Sequence, residues 1–559
     1  MVDNIITGKT RNRREFCSFY TESDPILTYM VKKLHVSKED VILEPCAGDG
    51  IFLQKILSTT KQENLHIDAL DINPLAIKKL TEAFNLPQVT VQKTDTLFDA
   101  TLDLFANANG HYTKIIGNPP YGAWQEYQKR HALKRQYGGY VKETYTLFLK
   151  RCIDLLKDDG RLVFIVPDTF LALRAHTDLR KKILTNTKIE ELLLMPSKFF
   201  PGVNFGYSNL CIITLVKSRG ASTHKIRIAS IRNSVKDLYS LANSDYSVAS
   251  KCEEIAQADI LNSIDYSFLL GGNDKIRRLI NTARLRLGDI ADCVTGFYSG
   301  DNRKFFAIND PTIKGAEKYN IVDPNLIEHN WVKEKNILNG LANGKKFIPI
   351  LKGGAGRFFK DTNWFVLWDQ KTVNFYKHDV AARFQNSQFY FKEGIGVPMV
   401  SSKIQATLLS HRLFDQSIVG IFPRNHKDVN YLLAFLNSNV CAQIMRSINH
   451  TANNSANYLK KLPVIVNDAA RIKTENIVKR YFADSNLEKA LSDINAVFDD
   501  LYELDKIELP IYASHCESAY VAEKGRHFKT KMRTNKIAAT KHGKSIAHKK
   551  RRRIYSKVR

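Results

Sequence analysis

The sequence lacks several patterns that define other classes of protein. Its eight cysteines are scattered from Cys17 to Cys516 without a Cys-x-x-Cys pair, which is typical of reduced, intracellular proteins and offers no zinc site. No run approaches the roughly 20 apolar residues that a membrane-spanning helix needs. The basic N-terminus has no apolar stretch behind it, so no secretory signal is expected. The absence of His-Glu-x-x-His, Walker, Gly-x-Ser-x-Gly and convincing Asp…Glu-x-Lys nuclease motifs argues against the enzymes that these motifs define.

Acidic residues are scarce relative to basic ones. The 559 residues include 83 Lys and Arg against 57 Asp and Glu, a formal net charge of +26. The stretch from Lys524 to Arg559 contributes fifteen of these positive charges and no acid, so the rest of the chain is still about +11. Such a balance indicates a polyanionic partner, because Lys and Arg release counterions when they neutralise phosphates. Charge alone does not separate DNA from RNA, and a basic protein with a solubilising tail is the alternative.

The length predicts two or three domains. Alternating strand and helix patterns over residues 1–220 predict an α/β fold with a mostly parallel, seven-stranded sheet. Residues 221–285 are polar and are predicted to form a linker. Short strands, aromatics and glycines over 286–466 predict a mixed α+β domain, with one helix from Asp428 to Ile448. A helical segment is expected over 467–523, followed by a basic tail over 524–559 that is disordered in isolation.

Glycines and acids follow the first three predicted strands. The turn Gly48-Asp49-Gly50 ends the first strand, Asp71 ends the second, and Asp95 follows the third. Ligands of open parallel sheets bind beyond the carboxyl ends of the strands, where Asp71 can accept from both hydroxyls of a ribose and Asp95 from an adenine amino group. A dinucleotide site prefers Gly-x-Gly-x-x-Gly, whereas an acid inside the turn suits a positively charged sulfonium cofactor. A purely structural turn is the alternative.

The residues Asn118-Pro119-Pro120-Tyr121 follow the fourth predicted strand. Their two prolines predict a rigid loop at the edge of the sheet. The side-chain oxygen of Asn118 and the carbonyl of Pro119 can both accept hydrogen bonds from one amino group, and Tyr121 can stack on a base. An adenine amino nitrogen shares its lone pair with the ring and is a poor nucleophile. Two acceptors restore lone-pair character toward a methyl donor, which predicts a methyltransferase catalytic loop.

With these motifs in this order, the chain resembles the TaqI-like adenine-specific DNA methyltransferases of restriction-modification systems. The resemblance runs from about Phe19 to Val466 and implies a Rossmann-like catalytic domain over 1–220 and a DNA target-recognition domain over 286–466. It implies S-adenosyl-L-methionine as the cofactor and no metal. The implied cofactor-binding residues are Thr21, Glu44, Cys46, Gly48, Asp49, Asp71, Ile72 and Asp95.

Within this set, the resemblance places Thr21 by the methionine carboxylate and Ile72 on the adenine face. The implied catalytic residues are Asn118, Pro119, Pro120, Tyr121 and Phe200, with Phe200 as the second aromatic around the target base. The chain departs from the family at Thr96, where an aromatic residue is common. Phe98 is a candidate replacement for that aromatic.

The resemblance implies transfer of a methyl group to N6 of an adenine that is flipped out of double-stranded DNA. The implied setting is the bacterial cytoplasm, where a monomeric enzyme associates with the nucleoid on binding DNA and protects sites that a separate restriction endonuclease cuts. Candidate DNA contacts are Arg303, Lys304, Lys352, Arg357 and Lys403, with solvated surface cations as the alternative. Two other functions stay open: an RNA-adenine or protein-glutamine methyltransferase with the same loop, and a non-catalytic DNA-binding specificity protein.

Overall fold

The computed structural model describes residues 23–504 except 60–63, 123–126, 201–208, 219–222, 271–273, 314, 335, 355, 402 and 450–451. The chain divides into two compact units, which meet in sequence between Leu269 and Leu270. The predicted basic tail over 524–559 and Thr21 lie outside the described residues. Among the residues described, no helix combines the length and the apolar character needed to cross a membrane.

The N-terminal unit is built on one nine-stranded sheet with the strand order β3-β2-β1-β4-β5-β7-β6-β8-β9. Strands β1 to β5 run parallel to one another, β7 is antiparallel to β5 and β6, β8 is parallel to β6, and β9 is antiparallel to β8. The strands are β1 (Val41–Glu44), β2 (His66–Asp71), β3 (Val89–Lys93), β4 (Tyr112–Gly117), β5 (Leu156–Pro167), β6 (Thr187–Met195), β7 (Leu210–Lys217), β8 (Lys225–Ser230) and β9 (Lys251–Ala256).

Helices alternate with these strands because apolar residues recur at helical spacing between the turns. The helix α3 shows the local rules: Pro74 occupies its first turn, and the Asn73 side chain accepts a hydrogen bond from the Leu75 N–H at 3.0 Å. The helices of the unit are α1 (Asp24–Leu34), α2 (Ile51–Thr59), α3 (Pro74–Ala83), α4 (Ala100–Asn107), α5 (Tyr127–Tyr137), α6 (Thr144–Leu155), α7 (Thr177–Asn186), α8 (Asp237–Ala242) and α9 (Gln257–Leu261).

The predicted α/β class is correct for this unit, but two details of the prediction are not. The sheet has nine strands rather than seven, and residues 225–230 and 251–256 of the expected linker form its strands β8 and β9. Strand β8 pairs in parallel with β6, and it buries Ile226 and Ile228 while leaving Lys225 exposed. The segment therefore extends the core of the first unit instead of connecting two domains.

The C-terminal unit contains two smaller sheets. One has the order β10-β18-β15-β16 and the other the order β12-β11-β14-β13-β17. Their strands are β10 (Ala291–Thr295), β11 (Phe306–Ile308), β12 (Asn320–Ile321), β13 (Phe347–Leu351), β14 (Trp364–Leu367), β15 (Ile395–Pro398), β16 (Thr407–Leu408), β17 (Leu413–Phe414) and β18 (Ile418–Pro423). An aromatic-rich core, which includes Phe297, Trp368 and Tyr376, packs against these strands.

The helices of this unit are α10 (Asp274–Thr282), α11 (Leu287–Ile290), α12 (Asn302–Phe305), α13 (Gln370–His378), α14 (Val429–Asn437), α15 (Asn439–Ile448), α16 (Ala456–Leu459), α17 (Asp468–Asp484) and α18 (Leu487–Tyr502). The single helix predicted from Asp428 to Ile448 is in fact two. Ser438 adopts an extended conformation between α14 and α15, and its hydroxyl accepts a hydrogen bond from the Cys441 N–H at 3.1 Å. Ser438 thus begins a new helix as its N-cap.

Candidate functional site

The turns that follow β1, β2 and β3 meet at one edge of the N-terminal sheet. Gly48, with φ of 57°, donates its N–H to Asp71 Oδ2 at 2.8 Å. The buried Thr96 hydroxyl donates to the Pro45 carbonyl at 2.6 Å, which ties the loop after β3 to the turn after β1. Thr96, at which the chain departs from the pattern of the resembling family, therefore has a structural role. These bonds bring the predicted cofactor-binding residues of three strands into one cluster.

Glu44 is the most deeply buried acid of this cluster, at 2% exposure. Its Oε2 atom has no hydrogen-bond partner among the residues that the structure describes. Burial, reinforced by the nearby Asp71 charge, raises the pKa of Glu44 well above its ordinary value, while a hydrogen bond from the Leu53 backbone opposes the shift. A buried carboxylate oxygen without a donor fits the approach of a positively charged ligand.

The two oxygens of Asp71 are fixed in place by the backbone around them. Oδ1 accepts from the Asn73 N–H at 2.8 Å while Oδ2 accepts from Gly48. Burial raises the pKa of Asp71, and these backbone hydrogen bonds oppose the rise. Next to it, Ile72 is 43% exposed although it is apolar. The pair therefore presents a fixed carboxylate beside an open apolar side chain, as a ribose and an adenine ring require.

Two of the predicted cofactor ligands are engaged by lysines that the sequence reasoning did not assign to them. Lys79 Nζ lies 3.0 Å from both oxygens of Asp49. Lys129 Nζ lies 2.6 Å from Asp95 Oδ2 and 5.9 Å from the centre of the Phe98 ring. Lys129 comes 34 residues after Asp95 in sequence, so no local pattern could have revealed this pair.

The Asn118-Pro119-Pro120-Tyr121 loop begins where β4 ends, and β4 lies directly beside β1 in the sheet. Cys46 adjoins the loop: burial and the charges of Glu44 and Asp71 raise the pKa of its thiol, and a hydrogen bond from the Asn118 backbone opposes the rise. The loop therefore shares its sheet edge with the acidic cluster.

Tyr121 is held in place by the elements behind the loop. It is 6% exposed, its hydroxyl donates to the Ile165 carbonyl at 3.3 Å, and its ring meets that of Tyr145 edge-on at 6.4 Å. Tyr145 is a residue that the sequence reasoning missed, since it is one aromatic among several apolar residues of α6. Its hydroxyl in turn shares a 2.8 Å hydrogen bond with Thr169, so the Tyr121 ring rests on a fixed support.

Phe200 follows β6, whose carboxyl end lies at the same edge because β6 and β5 are both antiparallel to β7. The Phe200 side chain is buried, at 2% exposure. The next residues, 201–208, lie outside the described part of the chain. The topology of the sheet thus places Phe200 near the edge that holds the Asn118–Tyr121 loop. Its contact with a target base stays a prediction. The place of Thr21 in the cofactor site also stays a prediction.

The Glu44→Gln substitution is expected to stabilise the protein increasingly as the pH rises. Because the pKa of Glu44 is raised in the folded chain, the folded state holds the proton more tightly, and the free energy of unfolding falls between the ordinary pKa of 4.5 and the raised one. Glutamine does not titrate and removes this loss. Urea unfolding of both proteins between about pH 5 and about pH 8 measures the effect. A stability difference that is constant over this range would contradict it.

Comparison with known proteins connects this site to a class of enzymes. Residues 30–200 match the family described as Eco57I restriction-modification methylase. The type II methyltransferase M.HincII of Haemophilus influenzae is 28% identical over 240 residues, which cover 41% of this chain and 43% of that protein. The tRNA1(Val) (adenine(37)-N6)-methyltransferase of the same organism is 28% identical over 138 residues, covering 22% of this chain and 53% of that protein.

A solved structure extends the likeness of fold beyond the first unit. It is a nuclease-deletion mutant of the type ISP restriction-modification enzyme LlaGI in complex with a DNA substrate mimic, with a TM-score of 0.51 and 14% identity, covering 83% of this chain and 54% of that chain. The first unit is thus similar to the methylases of restriction-modification systems. The chain spans less than half the length of M.HincII in their alignment.

Proposed function

We propose that this protein transfers a methyl group from S-adenosyl-L-methionine to N6 of an adenine that is flipped out of double-stranded DNA. One observation carries the proposal: the Asn-Pro-Pro-Tyr loop follows β4 at the sheet edge that holds Glu44 and Asp71. Two hydrogen-bond acceptors on this loop suit an amino group as the methyl acceptor. The match of residues 30–200 to restriction-modification methylases supports the same chemistry.

The residues at the sheet edge fit the proposed cofactor. Asp71, with each oxygen already fixed by one backbone N–H, keeps lone pairs for ribose hydroxyls. Ile72 offers its exposed side chain to the adenine ring, and the unpartnered Oε2 of Glu44 favours the cationic methionine end. When bound, the cofactor supplies a methyl group that its sulfonium makes electrophilic. Asp95 completes the set as an acceptor for the adenine amino group.

The catalytic loop then acts on the target base. Asn118 and Pro119 accept hydrogen bonds from its amino group and turn the nitrogen lone pair toward the methyl group, while Tyr121 and Phe200 lie against the base. No strong general base is needed, because the proton leaves readily once the nitrogen carries the methyl group. The base must leave the duplex to reach this loop. By the same proposal the C-terminal unit selects the DNA sequence.

The proposed setting is a bacterial restriction-modification system. The enzyme acts as a monomer in the cytoplasm, associates with the nucleoid on binding DNA, and protects sites that a separate endonuclease would cut. A second substrate class has one observation in its favour, the similarity of part of the chain to a tRNA adenine-N6 methyltransferase. Against it stands the C-terminal unit, which spans residues 270–559 and is slightly longer than the catalytic unit over 1–269.

The test is to map the methylated atom. Full-length protein is incubated with S-adenosyl-L-methionine labelled in its methyl group and with duplex DNA of diverse sequence, total tRNA or cell protein. N6-methyladenine at one recurring DNA sequence would support the proposal and supply the missing recognition site. Label in tRNA or protein alone would overturn the substrate. Binding of DNA without any transfer would favour a non-catalytic specificity protein.

Lys129→Met is expected to tighten binding of S-adenosyl-L-methionine about two- to fivefold. Lys129 holds the Asp95 oxygen that the cofactor amino group would use, and partly exposed ion pairs of this kind are worth up to about 1 kcal/mol. Titration calorimetry of the full-length protein measures the affinity. Lys134→Met, on the same helix and exposed, is the matched control and should leave the affinity unchanged. Weaker binding in the Lys129 variant would instead make this lysine part of the cofactor site.

A further inference from the structure

The connection between β13 and β14 in the C-terminal unit brings together two cations and an exposed aromatic side chain. They are Arg357, Phe359 and Lys360, and residues 357–360 are called the basic segment below. Phe359 is 45% exposed, although exposure of an aromatic ring to water is unfavourable. A second feature of the segment is that its backbone is fixed by the fold.

Phe358 anchors the basic segment. Its side chain is fully buried and contacts the ring of Tyr481 at 4.5 Å. Its N–H donates to the Ala406 carbonyl at 2.8 Å, and its carbonyl accepts from the Leu408 N–H at 2.7 Å. Its φ of 61° lies in the left-handed region, which is unfavourable for a bulky residue and persists only where the surroundings impose it. The fold thus holds the segment in one conformation.

Arg412 supports the exposed part of the segment from below. Its buried guanidinium donates to the carbonyls of Lys360 at 2.8 Å and Leu408 at 3.1 Å. The same group lies 4.8 Å from the centre of the Phe359 ring, a cation–π arrangement. Phe359 is therefore held in its exposed position, and the guanidinium of Arg412 already makes its hydrogen bonds within the protein.

The two cations of the segment have no counter-charge within the part of the chain that the structure describes. Among the residues described, no carboxylate pairs with Arg357, and burial alone lowers the pKa of its guanidinium. Lys360 Nζ donates to the Gly353 carbonyl at 2.8 Å, and burial together with the charge of Arg412 lowers the pKa of Lys360. The neighbouring Asp361 interacts with Arg412 rather than with these two groups. Partly desolvated cations of this kind favour an external anion.

We propose that the basic segment binds the backbone of double-stranded DNA, with Arg357 and Lys360 on phosphates and the Phe359 ring against the adjoining sugar. The inference rests on the proposed function for its choice of DNA as the polyanion. An arginine fork matches the oxygens of a phosphate, and about half or more of the hydrogen bonds in protein–DNA interfaces go to the backbone. A fixed segment lets these contacts position the duplex without reading its sequence.

The test measures the affinity of full-length variants for a duplex of mixed sequence over a range of salt concentrations. Arg357→Gln is expected to weaken binding about tenfold and to reduce the slope of log affinity against log salt by about 0.9, the value for one phosphate contact. Arg357→Lys keeps the charge and should restore most of the slope. Phe359→Leu should weaken binding without changing the slope, because its contact is uncharged. Arg278→Gln removes an exposed arginine of the same unit as a matched control.

Several outcomes would overturn the inference. One is an Arg357→Gln protein with wild-type affinity and slope in a preparation whose wild type methylates DNA. Another is an equal effect of Arg278→Gln, which would make the loss a property of total charge. If Arg357→Gln lowered the affinity for double-stranded RNA of the same length but not the affinity for DNA, the segment would bind a different polyanion. If the wild type did not methylate DNA, the proposed function would be wrong, whatever the effect of Arg357→Gln on DNA binding. Unchanged thermal unfolding of each variant shows that folding is intact.

Discussion

Asn118→Ala is expected to lower the rate of methyl transfer about 10²- to 10³-fold while leaving the affinity for S-adenosyl-L-methionine unchanged. The size is that observed when one hydrogen-bonding group that acts on the reacting atoms is removed from other enzymes. In the proposed reaction, alanine removes the side-chain acceptor that draws the target amino group toward the methyl donor, and Pro119 then acts alone. The described cofactor ligands of the proposal lie at the ends of β1, β2 and β3 or on the turns that follow them, so cofactor binding is expected not to depend on this side chain.

Single-turnover transfer to a DNA that carries the recognition sequence measures the rate, and calorimetry measures cofactor binding. Asn118→Asp is the informative control, because it keeps an acceptor oxygen at the same position and changes only the charge and the amide. Its loss should be smaller than that of alanine. A loss of cofactor affinity equal to the loss of rate would show that Asn118 supports the cofactor site and not the acceptor. Equal rates for the two variants would remove the acceptor role altogether.

The placement of the candidate site could be predicted from the sequence because local order determines it. A residue at the end of a parallel strand, or directly after it, must lie at the carboxyl edge of the sheet, and this places Glu44, Asp71 and Asn118 at one edge. The partners of these residues could not be predicted in the same way. Lys129 reaches Asp95 only because α5 returns to this edge. Thr96 likewise gains its role from Pro45, which is 51 residues away in sequence.

The fold was predicted best where strands are buried on both faces. Strands β1, β4, β5, β6 and β7 of the first unit each contain a mostly buried apolar run. Strand β8 alternates buried Ile226 and Ile228 with Lys225 and Arg227, and the edge strand β9 buries only Ile255. This polar pattern made the segment resemble a linker, although alternation is what a strand with one solvated face displays.

In the second unit, one predicted DNA contact has a partner that is distant in sequence. Lys352, a predicted DNA contact, lies 3.3 Å from Asp415, whose side chain is fully buried. Because Asp415 is 63 residues further along the chain, the sequence could not predict this pair, and the contact of Lys352 with DNA stays a prediction. The break between α14 and α15 at Ser438 does have a local signal in the sequence, since a serine preceded by Asn437 interrupts an apolar helical run. The contact of Arg357 with DNA stays a prediction as well.

Glu191→Ala is expected to lower the free energy of unfolding of the N-terminal unit by about 3–5 kcal/mol, the usual loss when one partner of a buried charge cluster is removed. Glu191 of β6 is buried, and its carboxylate accepts from the Tyr29 hydroxyl, Lys33 Nζ and the Tyr246 hydroxyl, each at 2.6 Å. The charge and hydrogen bonds of Glu191 outweigh burial and raise the pKa of Lys33. Without this carboxylate, the largely buried Lys33 has no acidic partner among the residues that the structure describes.

Calorimetry of the full-length protein measures the loss, and hydrogen exchange of residues 24–34 and 187–195 assigns it to α1 and β6. Glu254→Ala is the matched control: its pair with Arg227 at 3.3 Å is well exposed and should contribute about 1 kcal/mol or less. Glu191→Ala combined with Lys33→Met should recover part of the stability, because it removes both charges together. If the double variant is no more stable than Glu191→Ala alone, the loss of stability comes from the missing tyrosine hydrogen bonds and not from the unpaired Lys33.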